Sequence, residues 1–158
     1  MGYKLPRNIR VDGLCLPGVY GFLHIPKFLD STAADRLLVH CLQHISWEQE
    51  RFWLFGKLVT APRLTAWYGD PGVMYRYSGI SRHAKPWRSR LRYLSELISD
   101  RLDTSFNFVL ANRYRDGNDC IGWHADDEQG LSPVIASLSL GETRVFRIKG
   151  KKAKNSVG

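Results

Sequence analysis

The feature that most constrains this chain is the run Phe106-Asn-Phe-Val-Leu-Ala-Asn-Arg-Tyr114, together with the dozen residues after it. Its apolar residues alternate, which is the pattern of a half-buried strand. Side chains on a strand point to opposite faces in turn, so Phe106, Phe108, Leu110, Asn112 and Tyr114 share one face. Three apolar residues followed by an amide and a phenol describe a buried wall that ends at a polar pocket. Asp116-Gly117 then breaks the strand. Next comes His124-x-Asp126, an imidazole and a carboxylate close enough in sequence to reach one point in space. They are two of the three protein ligands of the 2-His-1-carboxylate site that holds non-haem Fe(II). Alone, such a tripeptide is more often a surface accident.

The rest of the chain sets limits on the partner. A length of 158 residues suits one domain with a real core. The formal net charge is +8 and the pI about 9.6. Many small basic proteins bind nothing in particular, but here the basic residues cluster near aromatics, which favours a nucleic-acid partner. No apolar run approaches the roughly 20 residues of a membrane span. Met1-Gly-Tyr-Lys-Leu-Pro6 lacks a signal-peptide core, so the expected location is intracellular: cytoplasm in a bacterium, nucleus in a eukaryote. Cys15, Cys41 and Cys120 are odd in number and widely spaced, and read as reduced thiols.

In chain order, an irregular arm over 1–20 precedes a short strand around 21–29 and a helix with Ser31 as N-cap. On that helix Leu37, Leu38, Cys41, Leu42 and Ile45 form one apolar stripe. His40 and His44 are four apart, a metal-binding spacing, but no carboxylate accompanies them and they read as surface residues. Trp47–Phe55, the Gly56-Lys57 turn and Leu58–Thr60 read as a hairpin with aromatics near its tip. Thr65–Tyr68 reads as strand. Asp70-Pro71-Gly72 is a turn, and Tyr75 and Tyr77 share a strand face. Pro86-Trp87 opens a second helix, with Pro86 in its first turn and Trp87, Leu91, Leu94, Leu97, Ile98 and Leu102 facing inward. Arg82, His83, Lys85, Arg88, Arg90 and Arg92 make a cationic surface beside it, either merely solvated or in contact with phosphates. Val134–Leu140 and Thr143–Lys149 read as two further strands, and 150–158 as a flexible basic tail.

Taken together, Asn112-x-Tyr114-x-x-Gly117, His124-x-Asp126-Asp127-Glu128 and Ser132-Pro-Val-Ile-Ala-Ser-Leu-Ser-Leu-Gly141 closely resemble the AlkB-like Fe(II)/2-oxoglutarate dioxygenases, in particular the DNA-repair branch. The resemblance runs from about Pro17 to Lys149. It implies an α+β fold, a partial double-stranded β-helix (jelly roll) with N-terminal helices and a DNA-probing hairpin, over a domain of 21–149. It implies Fe(II) held by His124 and Asp126, and 2-oxoglutarate bound by Leu110, Asn112, Tyr114, Ile135 and Ser137. Phe55, Gly56, Lys57 and Arg63 match the probing hairpin and the basic residue beside it, where an apolar tip fills the gap left by a flipped base. Tyr75, Tyr77 and Ser78 fall where the damaged base stacks, and Asp127 and Glu128 near its pocket. The implied activity is oxidative removal of alkyl groups from base nitrogens, with O2 consumed, 2-oxoglutarate decarboxylated to succinate and the alkyl carbon lost as formaldehyde. The implied partner is alkylated DNA, duplex or single-stranded, with RNA as an alternative, and the protein acts as a monomer.

The chain departs from the family in one respect. No histidine comes after Asp126, and Arg144 and Arg147 come too early to match the arginines that bind the far carboxylate of 2-oxoglutarate. The expectation is a C-terminally truncated enzyme, with weak iron affinity and no measurable dealkylation by the 158-residue chain. The rival readings are a noncatalytic nucleic-acid-binding remnant, and a cupin-like small-molecule binder that leaves the hairpin and the charge unexplained.

Overall fold

In the computed structural model, the elements run in the order β1 (Leu14–Cys15), β2 (Leu23–His24), α1 (Ser31–His44), β3 (Arg51–Leu54), β4 (Lys57–Thr60), β5 (Leu64–Gly69), β6 (Met74–Tyr77), β7 (Ile80–His83), β8 (Lys85–Pro86), α2 (Ser89–Leu102) and β9 (Phe108–Arg113). The structure describes residues 14–15, 21–54, 56–77, 80–126 and 134–148, with the side chains at 14–15, 54, 75–77 and 80 outside that description. The chain divides into two compact units, residues 1–42 with 137–158, and residues 43–136. The expected boundaries at residues 20 and 149 lie outside the described residues. No helix among the described residues is long and apolar enough to cross a membrane.

The unit 43–136 is built on β5. Leu64-Thr-Ala-Trp-Tyr-Gly69 is nearly continuous in its apolar character, the pattern of a strand covered on both faces. Thr65, Ala66, Trp67, Tyr68 and Gly69 are all buried. β5 is the central strand of a three-stranded sheet, antiparallel to β9 along its length and parallel to β8 at its end. Gly69 shows how close these neighbours come. A Cβ there would sit 2.8 Å from the Asn107 carbonyl oxygen and 3.0 Å from the Ala84 Cβ. Near its start, β5 also exchanges two backbone hydrogen bonds with Glu48 through Thr65. Tyr68 is 1% exposed, and its hydroxyl accepts a hydrogen bond from the Ser46 N–H at 3.1 Å.

Two antiparallel hairpins belong to the same unit. β3 and β4 pair from Arg51↔Thr60 to Leu54↔Lys57 around Gly56, whose φ of 74° suits a residue without Cβ. β6 and β7 pair from Met74↔His83 to Tyr77↔Ile80. Arg82 on β7 joins the hairpins: its Nε lies 2.5 Å from Glu50 Oε1, next to β3, with both side chains largely covered.

The helix starts differ from the sequence expectation. The cap of α1 is Asp30, not Ser31: Asp30 Oδ1 accepts the Ala33 N–H at 2.8 Å and the Asp30 carbonyl accepts that of Ala34. Aspartate and serine are near-equal caps, and the chain turns one residue earlier than the serine suggests. α2 begins at Ser89, with Arg88 as an N-cap lacking a side-chain bond. Pro86 is not in its first turn but in β8, on the sheet edge, where a missing N–H costs no ladder bond. The inward stripe holds, with Leu91 buried and Leu94, Leu97, Ile98 and Leu102 half-buried. α2 ends at Asp103 in the left-handed region, its N–H on the Ser99 carbonyl. Ser95 Oγ donates to the Phe106 carbonyl and Ser99 Oγ accepts the Phe106 N–H, tying α2 to the segment that enters β9. In α1, Leu37 is buried and Leu42 is 41% exposed, so the expected stripe is narrower than five residues.

The expected strands over 134–140 and 143–149 do not form among the described residues. Residues 134–147 are irregular or bent chain outside any named strand among the described residues, and Ile148 makes an isolated bridge. Alternation shows that two faces differ in polarity, whereas a strand also requires a neighbour to receive its hydrogen bonds. Val145 and Phe146 are correspondingly 77% and 62% exposed.

Candidate active site

β9 carries the face on which the expected cofactor residues lie. Its register with β5 sets Thr65 opposite Asn112, Trp67 opposite Leu110, and Gly69 opposite Phe108. Cross-strand partners point to the same side, so Thr65, Trp67, Phe108, Leu110 and Asn112 form one surface. Tyr114, half-buried, continues it just past the strand end. Trp67 and Phe108 stack at a tilt, with centroids 5.6 Å apart. The Arg82 guanidinium lies 5.1 Å from the Trp67 ring centroid. The floor is therefore aromatic and apolar at the Phe108 end and polar at the Asn112 end.

Arg63, expected as the basic residue beside the probing hairpin, is held against β9. It is 8% exposed, and its Nε donates to Asn112 Oδ1 at 3.0 Å. Residue 63 is two positions before Thr65, so its side chain emerges on the face that carries Asn112. Its Nε is thus taken up by the half-buried Asn112. Thr65 is fully buried, and its Oγ1 has no hydrogen-bond partner among the described residues.

The loop after β9 is fastened at several points. Asp116 Oδ1 accepts the Asn118 N–H at 2.8 Å, closing the turn that Asp116-Gly117 announced. Asp119, 4% exposed, accepts the Arg115 backbone N–H and two guanidinium hydrogen bonds at 2.8 and 2.9 Å. The hydrogen bond to Asp119 holds the Arg115 guanidinium above its ordinary pKa. The Cys120 N–H donates to the Pro62 carbonyl, anchoring the loop beside the start of β5. Sequence reasoning passes over Asp119; the only signal is an arginine and an aspartate four apart across a turn.

His124 and Asp126 come next, on extended chain. His124 Nδ1 lies 2.8 Å from the Gly122 carbonyl oxygen. A carbonyl can only accept, so in the neutral ring Nδ1 carries the proton and Nε2 keeps its lone pair. That lone-pair nitrogen is 3.6 Å from Asp126 Oδ1. An ion with bonds of roughly 2 Å to nitrogen and oxygen can reach both atoms. The donor set and the fixed tautomer thus fit a divalent iron ion on two protein ligands. No further histidine, cysteine, aspartate or glutamate joins them among the described residues.

The remaining expected residues divide by position. Gly56 forms the turn of the β3–β4 hairpin, and Lys57 is exposed at the start of β4. Tyr75 and Tyr77 are on β6, which the register with Arg82 and Ile80 places on one strand face, but their side chains are outside the description. Phe55, Ser78, Asp127 and Glu128 lie outside the described residues. Ile135 is 53% exposed, and Ser137 is exposed. The cationic surface near α2 is largely engaged: Arg82 with Glu50, Lys85 with Glu48, and Arg92 with Asp70 and Glu96. Arg88 and Arg90 are exposed.

Comparison with known proteins decides what this arrangement belongs to. The family profile described as the 2OG-Fe(II) oxygenase superfamily matches residues 21–157. The chain belongs to that superfamily. Membership implies the jelly-roll fold and the use of Fe(II) and 2-oxoglutarate, in keeping with a mixed helix and sheet structure. The human protein named alpha-ketoglutarate-dependent dioxygenase alkB homolog 3 is 40% identical over 154 residues, covering 92% of this chain and 53% of that protein. Human DNA oxidative demethylase ALKBH2 is 45% identical over 109 residues, 66% of this chain and 42% of that protein. The Arabidopsis thaliana protein of that name is 33% identical over 140 residues, 85% of this chain and 45% of that one. These relatives support the AlkB-like resemblance. The chain spans about half the length of the curated relatives it matches.

Proposed function

We propose that this AlkB-like oxygenase removes alkyl groups oxidatively from bases of nucleic acid, with DNA as the principal substrate. The observation that carries the reading is the fixed His124 tautomer, whose Nε2 lone pair faces Asp126 Oδ1 at 3.6 Å, beyond a strand that presents Asn112 on an aromatic and apolar floor. Bound iron with 2-oxoglutarate supplies the oxidation of a substrate C–H bond by O2. His124 and Asp126 hold the metal, and the Gly122 carbonyl keeps the imidazole from turning its protonated nitrogen inward. Asn112 and Tyr114, with Leu110 beneath, take the 2-oxoglutarate. Ile135, in the same unit, borders that pocket. The Phe108–Trp67 pair excludes water from the apolar end, which strengthens each polar contact at the other end.

The β3–β4 hairpin meets the substrate. Phe55 at its tip enters the stack, Gly56 allows the turn, and Lys57 meets a phosphate. Trp53 is 73% exposed and Leu58 54% exposed, and they pair across the hairpin, which supports an apolar face turned to solvent for contact. Tyr77 stacks on the flipped base with Tyr75 and Ser78 nearby, and Asp127 and Glu128 accept from its exocyclic or cationic edge. On this reading the protein works as a monomer, and RNA bearing the same alkylated bases is an alternative substrate.

Succinate release is the test, with Fe(II), 2-oxoglutarate, ascorbate and DNA containing 1-methyladenine. The proposed reading requires multiple turnovers that disappear in His124→Ala. DNA binding with no turnover under any of these conditions would leave the noncatalytic binding role in place of this one.

A further inference from the structure

We infer that Arg63 is a positioning residue for 2-oxoglutarate, acting through Asn112, and not a DNA contact; this rests on the reading that Asn112 binds that cofactor. Every hydrogen on a guanidinium is a donor, so the Asn112 atom that faces Arg63 Nε at 3.0 Å has to be the acceptor Oδ1. That fixes the amide. Its Oδ1 is occupied, and the group left to offer is the Nδ2 amino group, a donor of two hydrogens, which suits the carboxylate and keto oxygens of a 2-oxo acid. Freed from Arg63, the amide can turn over and present its oxygen to those same oxygens, which repel it.

Two further observations place this contact in a ligand site. Arg63 is 8% exposed, and arginine is almost never fully buried unless paired, so its placement here answers a specific acceptor. Opposite Asn112 in the ladder, and on the same face, Thr65 holds a fully buried hydroxyl with no hydrogen-bond partner among the described residues. Buried polar groups without partners are uncommon in folded proteins and call for an explanation such as an ion or ligand. Arg63, Thr65 and Asn112 then make one polar patch at the end of an otherwise apolar floor. The cation is one layer removed from the ligand, with the amide between them.

The bond count of the side chain makes the idea testable. Glutamine places its amide nitrogen as many bonds from Cα as arginine places Nε. Arg63→Gln therefore keeps a donor for Asn112 Oδ1 and removes the charge, whereas Arg63→Met removes both. The measurements are 2-oxoglutarate affinity by calorimetry with Mn(II) in place of Fe(II), and affinity for a short DNA duplex as a function of salt. Partners that orient a ligating group typically change affinity or activity by about 10–100-fold when lost. Arg63→Met is expected to weaken 2-oxoglutarate by that factor and Arg63→Gln by much less. Neither should alter the salt dependence of DNA binding. Combined with Asn112→Ala, Arg63→Met should add little, because both act on one contact.

Equal weakening by Gln and Met, or a salt slope lowered by about one in both variants, would overturn the proposal and return Arg63 to the phosphates. Should Arg63→Met fail to fold, the Gln variant and Asn112→Ala still decide: a Gln variant as weak as Asn112→Ala overturns it. A different result condemns the cofactor reading itself: no 2-oxoglutarate binding by the unaltered chain, or none of that affinity lost in Asn112→Ala.

Discussion

The β5–β9 floor and the β3–β4 hairpin are both antiparallel pairs with aromatic side chains, and they treat those side chains in opposite ways. On the floor, Trp67 is 7% exposed, tilted against Phe108 and covered by a guanidinium. On the hairpin, Trp53 is 73% exposed with Leu58 beside it. Burying an aromatic stabilises the fold by a few kcal/mol, so leaving one in water forgoes that gain unless something else covers it. The floor is a structure that holds chemistry in place. On the proposed reading, the hairpin is a structure whose apolar surface is covered by the nucleic acid. The link between them is narrow and ionic, Arg82 on Glu50, with the Glu48–Thr65 bridge beside it. Substitutions in the two regions should therefore fail in different assays.

The largest separation is expected at the metal pair. His124→Ala or Asp126→Ala should reduce succinate release to background while leaving DNA affinity within about twofold, since neither belongs to the hairpin. Loss of DNA binding in parallel with turnover would mean the two regions are not independent. The next effect is on stability. Gly69→Ala introduces a Cβ 2.8 Å from a backbone oxygen in the middle of the sheet, and overpacking of that kind costs about 1–3 kcal/mol. Gly56→Ala meets nothing within 4 Å, and its cost is only the left-handed backbone at φ 74°, about 1–2 kcal/mol. Urea denaturation should rank Gly69→Ala as the less stable. The reverse order would show the hairpin to be the more rigid element.

How much of the fold and site is legible in the sequence depends on the range of the physics involved. The alternation from 106 to 114 and the apolar run at 64–69 locate the floor, because burial pattern is a local property of the chain. The nearness of His124 and Asp126 is legible as well, because residues two apart in sequence cannot lie far apart in space. Arg63 is not: its partner is 49 residues away, and an arginine gives no local sign that it will be buried. Pro86 and Ser31 each satisfy a rule that holds at helix starts, yet Pro86 serves a sheet edge equally well and Asp30 competes with Ser31 for the cap. Asp119 is invisible because its role depends on a turn bringing Arg115 back onto it. The alternation at 134–148 resembles strand, where pairing, a non-local property, decides.

Substitutions to alanine at Phe55, beside the β3–β4 turn, and at Tyr77 on β6 should spare stability and cofactor while weakening DNA. On the proposed reading each removes a stacking surface worth about 1–3 kcal/mol per base, so affinity for alkylated duplex should fall roughly tenfold or more. Calorimetric 2-oxoglutarate affinity should not move. Wild-type affinity for DNA in both variants would remove the β3–β4 hairpin and β6 from the substrate site.

The smallest effect distinguishes two lysines of the same charge. Lys57 is exposed at the start of β4, whereas Lys85 Nζ lies 2.5 Å from Glu48 Oε1. A cation already held by a carboxylate has a screened field and brings little net charge to a phosphate, and exposed pairs of this kind stabilise the fold by no more than about 1 kcal/mol. Lys57→Ala should therefore lower the slope of log K against log salt by about one, for alkylated and unmodified DNA alike, because a phosphate contact carries no base information. Lys85→Ala should leave that slope unchanged. Fluorescence anisotropy at several salt concentrations reads both. If Lys85→Ala lowers the slope and Lys57→Ala does not, the nucleic acid lies along β8 and the start of α2, and the exposed face of the hairpin has some other partner.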